Sequence, residues 1–130
     1  MKITVNRDII LKAISVADSV ISSKNINTIL TNCLFRLSRD IMEIISTDNE
    51  IAIRTKIDVI SDGEFSFTAN GKKLLSIIKE LPDDEIVLTV DDSMIININS
   101  KSVKGSYVLY GTGSEEFPDL PEVKHENAIE

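Results

Sequence analysis

The sequence predicts an α+β domain made of a duplicated βαβββ unit, with two helices packed on antiparallel sheets. Three observations predict it. A strand–cap–helix stretch occurs twice. Each copy is followed by three segments of strand character. Apolar residues alternate in the strand segments, but recur at spacings of three and four in the helical ones. The clearer copy is residues 64–81, EFSFTANGKKLLSIIKEL. Slid back by 64 positions, Asn70 falls on Asn6, and Leu74, Ile77, Ile78 and Leu81 fall on Ile10, Ala13, Ile14 and Ala17. All four pairs are apolar, and each set lies on one face of a helix.

In chain order, residues 1–5 read as a short strand. Asn6 is a good helix N-cap, because its side-chain oxygen accepts from a helix N–H that has no partner within the helix. The helix is expected over about residues 7–21. Its apolar stripe is Ile10, Ala13, Ile14, Ala17 and Ile21. Asp8, Lys12, Ser15 and Ser19 point the other way, with Arg7 at the flank. Residues 22–25 form a polar turn. Strands are expected over 30–38, 41–47 and 50–60, with turns at Arg39-Asp40 and Asp48-Asn49. In the last of them Ile51, Ile53, Thr55, Ile57 and Val59 share one face, and Ala52, Arg54, Lys56 and Asp58 the other.

The second unit repeats the plan. Asn70 caps a helix that Leu81-Pro82 brings to an end. Strands are expected over 85–90, 94–99 and 101–110. The pseudo-repeats are 1–61 and 62–111, within one domain over residues 1–122. The tail is polar, with Phe117 and Leu120 as its apolar anchors. Residues 123–130 read as a boundary toward a further domain.

With 130 residues, 42% of them hydrophobic and no apolar run near 18 residues, the chain reads as one soluble globular domain. The opening residues run straight into a strand, with no secretory pattern, and no membrane partner is expected. The one cysteine, Cys33, sits in an apolar run. It reads as a buried small hydrophobe in a cytoplasmic protein. His125 reads as surface. Asp91-Asp92 and Asp83-Asp84-Glu85 fall where the chain must turn, so they read as turn chemistry and no metal site is expected. No phosphate loop, nucleophile elbow or paired-cysteine motif occurs, so neither a cofactor nor a catalytic set is expected.

Net charge is −7, which at first argues against nucleic acid. The charge is unevenly spread. Residues 7–24 and 71–80 carry Arg7, Lys12, Lys24, Lys72, Lys73 and Lys79 against Asp8, Asp18 and Glu80, a net +3 that leaves −10 for the remainder. Basic helices in an acidic protein suit a loose, sequence-blind approach to a phosphate backbone. A second reading, from a different class, is a stand-alone β-rich adaptor whose edge strand, residues 101–110, captures a protein by strand addition.

Five stretches carry a resemblance. They are MKITVNRDIILKAI at the start, Asn32 within LTNCLF, Thr47-Asp48-Asn49-Glu50, the helix from Lys72 to Leu81-Pro82, and Glu116-Phe117-Pro118-Asp119-Leu120. In this order and spacing the chain resembles the first domain of the bacterial β sliding clamps, the processivity subunits of the replicative DNA polymerase. The resemblance covers almost the whole chain. It implies a DNA-clamp fold and a non-enzymatic role. It implies three such domains per full chain, with two chains closed head-to-tail into a ring around duplex DNA. Helices would line the hole. Lys24 and Lys72 match DNA-contacting positions, and Arg7, Lys12 and Lys79 are the further candidates. Lys73, Lys101, Val103 and Tyr107 match the edge that meets the third domain of the second subunit. Polymerase and clamp loader would bind the full-length clamp, at a cleft in later domains. Where many members carry prolines in the turn after Lys24, this chain has Asn25, Ile26, Asn27 and Thr28. Val103 stands where many carry a second basic residue.

Overall fold

The computed structural model describes residues 1–19, 32–47, 52–82 and 84–113. The elements run β1 (Lys2–Asn6), α1 (Arg7–Asp18), β2 (Asn32–Ser38), β3 (Ile41–Thr47), β4 (Ala52–Asp58), β5 (Ile60–Ser61), β6 (Glu64–Asn70), α2 (Gly71–Glu80), β7 (Glu85–Val90), β8 (Ile95–Ser100), β9 (Tyr107–Tyr110) and β10 (Thr112–Gly113). Each half is strand, helix and three strands, followed by a two-residue strand. The fold is the α+β architecture that the periodicities predict.

Asn6 and Asn70 do the same job 64 residues apart. The Asn6 side chain accepts from Ile9 N–H at 3.0 Å, and that of Asn70 from Lys73 N–H at 2.9 Å. Each therefore satisfies one of the unpaired N–H groups that open a helix.

The strands form two antiparallel five-stranded sheets, ordered β5-β1-β7-β8-β9 and β10-β6-β2-β3-β4. The halves have exchanged their first strands. β1 lies beside β7, with Lys2 opposite Thr89 and Asn6 opposite Glu85. β6 lies beside β2, with Asn32 opposite Asn70 and Ser38 opposite Glu64. The short strands keep the symmetry, β5 pairing with β1 and β10 with β6. Phe35 and Phe67 stand opposite each other in the second sheet and stack at 5.0 Å, their planes 8° apart.

One core fills the space between the two sheets and the helices. Ile3, Ile86, Ile96 and Ile98 come from the first sheet, Phe35, Met42, Ile44 and Phe67 from the second. The helices contribute Ile10, Ala13, Ile14 and Ala17 from α1, and Leu74 and Ile78 from α2. Of the two expected helix stripes only Ile77 falls short of full burial; Ile21 lies outside the described residues. In β4, Arg54, Lys56 and Asp58 are exposed while Ile57 is buried, as alternation requires.

Two strand expectations are corrected. Residues 101–110 do not form one strand: only Tyr107–Tyr110 pairs with β8. Val103 N–H donates to Ser100 carbonyl oxygen at 3.3 Å and closes a turn, and Gly105 adopts φ +83°, a left-handed conformation that glycine tolerates best. Lys101 and Val103 thus sit in that turn segment, and Val103 packs against the core. The strand expected over 50–60 breaks at Val59, which turns its side chain inward, and β5 resumes beside β1. The turn reading of Asp91 matches its contacts. Its Oδ1 accepts from Ser93 N–H at 2.8 Å and Ile95 N–H at 3.0 Å.

Candidate nucleic-acid interface

The two helices pack side by side. Contacts at both ends show that they run antiparallel. Arg7, at the start of α1, meets the end of α2: its Nε donates to the carbonyl oxygens of Leu81 at 2.7 Å and Ile78 at 3.2 Å, and its Nη2 to that of Lys79 at 3.3 Å. Asp18, at the end of α1, meets the start of α2, its Oδ2 lying 3.6 Å from Lys72 Nζ.

A guanidinium on the last carbonyls of a helix supplies donors where the helix itself runs short of them, and complements the negative end of its dipole. Arg7 also donates from Nη1 to Asp8 at 3.0 Å. Its side chain is only 22% exposed, and every nitrogen of the guanidinium has a protein acceptor. The sequence places Arg7 at the flank of a basic face; the structure places it between the helices, holding one to the other.

Each helix buries one stripe and exposes the opposite one. On α1 the exposed positions include Asp8, Lys12, Ser15 and Ser19. On α2 they are Lys72, Lys73, Ser76, Lys79 and Glu80. The exposed side of the pair therefore carries four lysines against Asp8 and Glu80, with serines between them. Small residues leave room for a polyanion to approach several ammonium groups at once. Lys24 lies outside the described residues.

Lys72 is not a free cation. Its partner Asp18 is a half-buried carboxylate whose Oδ1 is enclosed and meets no donor among the described residues. Sequence reasoning missed both Arg7 and Asp18 as contacts between the helices. A signal was present: a cation in the first turn of α1 and an acid in its last turn each oppose the dipole of their own helix. Such residues fit an antiparallel neighbour, where the same ends have the opposite sign.

The edge candidates separate. Lys73 and Lys101 are exposed, Val103 is half-buried, and Tyr107 begins the edge strand β9. Val108 and Tyr110 on that strand are 48% and 76% exposed, so the edge carries more apolar surface than the sequence reading marked. Among the described residues no group of three or more His, Cys, Asp and Glu side chains is placed to hold a metal.

Comparison with known proteins agrees with this fold. The family described as "DNA polymerase III beta subunit, N-terminal domain" matches residues 1–121. A beta sliding clamp of Treponema pallidum is 32% identical over 122 residues, which are 94% of this chain and 33% of that protein. One from Helicobacter pylori is 30% identical over 132 residues, 100% of this chain and 34% of that protein. The chain thus spans about a third of the length of these relatives. Among solved structures, the Bacillus subtilis DNA polymerase sliding clamp superposes with a TM-score of 0.88 at 24% identity, over 99% of this chain and 36% of that one. The Helicobacter pylori beta clamp bound to a DNA ligase peptide superposes with a TM-score of 0.85 at 27% identity, over 95% of this chain and 34% of that one. With the fold, the paired helices and the family match over residues 1–121 in agreement, the chain belongs to the DNA polymerase III beta subunit family and corresponds to its N-terminal domain.

Proposed function

We propose that this domain forms part of a sliding clamp that encircles duplex DNA and tethers a replicative polymerase in the cytoplasm, without catalysis of its own. The observation that carries the reading is the antiparallel helix pair in an acidic protein, with Lys12, Lys72, Lys73 and Lys79 on its exposed side. A ring needs no tight grip on DNA. A few lysines meeting phosphates give weak, salt-sensitive, sequence-blind contact, which suits a protein that must slide. Lys12, Lys72 and Lys79 are the DNA-facing residues in this reading, and Lys24 joins them from outside the described residues. Arg7 serves by fixing the helices.

The exposed apolar edge at β9 is the proposed contact with a second subunit, and the exposed Lys73 of α2 is its further candidate. The adaptor reading used the same edge; family membership favours a ring junction there over an adaptor.

The test is duplex binding by the complete gene product at low salt, with Lys12→Ala, Lys72→Ala and Lys79→Ala combined. Affinity is expected to fall about tenfold for all duplex sequences alike, with the salt slope reduced by about one for each lost contact. Unchanged affinity and slope would refute the role of this face.

A further inference from the structure

We infer that Asp18 competes with DNA phosphate for Lys72 and so limits the share of that lysine in DNA binding. The inference deepens the proposed function and rests on it. Asp18 closes α1, where the dipole disfavours an acid, and Lys72 opens α2, where the dipole disfavours a cation. Antiparallel packing resolves both conflicts by bringing them together. Asp18 Oδ2 stands 3.6 Å from Lys72 Nζ, and the carboxylate lies at the positive end of α2.

The two partners differ in freedom. Lys72 is 66% exposed, whereas Asp18 is 17% exposed, with Oδ1 enclosed. The ammonium can swing toward a phosphate while the carboxylate stays. An arriving phosphate therefore meets a lysine already engaged by an acid, and an anion fixed beside it. Both effects lower what Lys72 contributes. The same contact holds the ammonium at the junction of the helices, within reach of solvent. The other exposed lysines of the pair, Lys12, Lys73 and Lys79, show no ion pair among the described residues.

The experiment is a double-mutant cycle on duplex binding by the complete gene product, using a short duplex over a series of salt concentrations. It combines Asp18→Asn with Lys72→Ala. Asp18→Asn keeps the side-chain shape and removes the charge; Asp18→Ser is the second variant should the first fold poorly. The control is Glu80→Gln. Glu80 is exposed on the same side of the helices and forms no ion pair among the described residues. It removes the same unit of negative charge without touching Lys72.

Asp18→Asn is expected to raise affinity about two- to fivefold and steepen the salt slope. In that background Lys72→Ala should cost correspondingly more than in the parent. In the Glu80→Gln background the cost of Lys72→Ala should match the parent. If Lys72→Ala lowers affinity by the same factor with and without Asp18, the competition is refuted while the DNA-facing role stands. An equal gain in the cost of Lys72→Ala from Glu80→Gln would also refute it, as a general charge effect. If Lys12→Ala, Lys72→Ala and Lys79→Ala are all silent in every background, the DNA-facing reading falls and the inference falls with it.

Discussion

At the start of α2, Gly71 leaves no space for a side chain: a Cβ there would stand 2.7 Å from Cys33 Sγ. The thiol fills the place that a side chain on the helix would need. Burial, and secondarily the negative charge of Asp18, push the Cys33 thiol from 9.0 up to about 12. The sign of the pH dependence follows. In the unfolded chain the thiol loses its proton near its ordinary value, whereas the folded protein keeps it until about 12. The folded state thus binds more protons across that window. Stability is unaffected by this group below it, and falls as pH rises through it, by at most about 1.4 kcal/mol per pH unit. Urea unfolding at about pH 8 and about pH 10.5 tests this, since the parent should lose more stability between the two than Cys33→Ala. Equal losses would exclude the thiol as the cause. That Cys33 is buried was legible from its apolar neighbours. That it sets the identity of residue 71 was not, because the approach joins a strand and a helix that periodicity treats separately.

The helices show a similar division. Their faces were legible because an apolar stripe has a period, and their starts because Asn6 and Asn70 are caps. What joins them was not, because the acceptors of Arg7 are backbone carbonyls at Ile78, Lys79 and Leu81, which any sequence would supply. Arg7 closes the end of α2 from another element, alongside the Leu81 N–H, which donates to Ile78 carbonyl oxygen at 3.1 Å. Arg7→Ala should cost roughly 1–3 kcal/mol, as expected for loss of charge-assisted bonds to partly buried carbonyls. The loss should be local. Amide hydrogen exchange is expected to rise in the last turn of α2 ahead of its first turn. Arg7→Lys should recover only part of the stability, since one ammonium cannot reproduce a fork that reaches three carbonyls. Uniform exchange along α2 in Arg7→Ala would show that the guanidinium does not hold that end.

For the whole molecule, duplication was legible and the exchange of strands was not. A shift of 64 aligns Asn6 with Asn70 and one helix face with the other, but alternation within β1 does not say which strand lies beside it. The chain also passes directly from one sheet to the other. Between β9 in one sheet and β10 in the other, Gly111 donates its N–H to Met94 carbonyl oxygen at 2.9 Å. A Cβ there would stand 2.5 Å from Thr68 carbonyl oxygen and 3.1 Å from that of Met94. Neither carbonyl moves without disturbing its sheet. Gly111→Ala should therefore destabilise the domain by roughly 1–3 kcal/mol, through overpacking at a backbone crossing. Urea denaturation would read this as an earlier midpoint with an unchanged slope. A midpoint equal to the parent would show that the crossing has slack.

The exchange of first strands bears on how the chain is made. β1 is made before β7, yet Met1 N–H donates to Val90 carbonyl oxygen and β1 lies along β7. Within its own half β1 finds only the two residues of β5. The second sheet equally waits for β6, which comes from the later half. Neither half can complete a sheet while the other is unsynthesised. The nascent first half must keep its apolar faces in solution, or on a chaperone, until about the ninetieth residue has emerged. An ancestral single unit would have met the same need by pairing with a second copy of itself, each lending its first strand to the other.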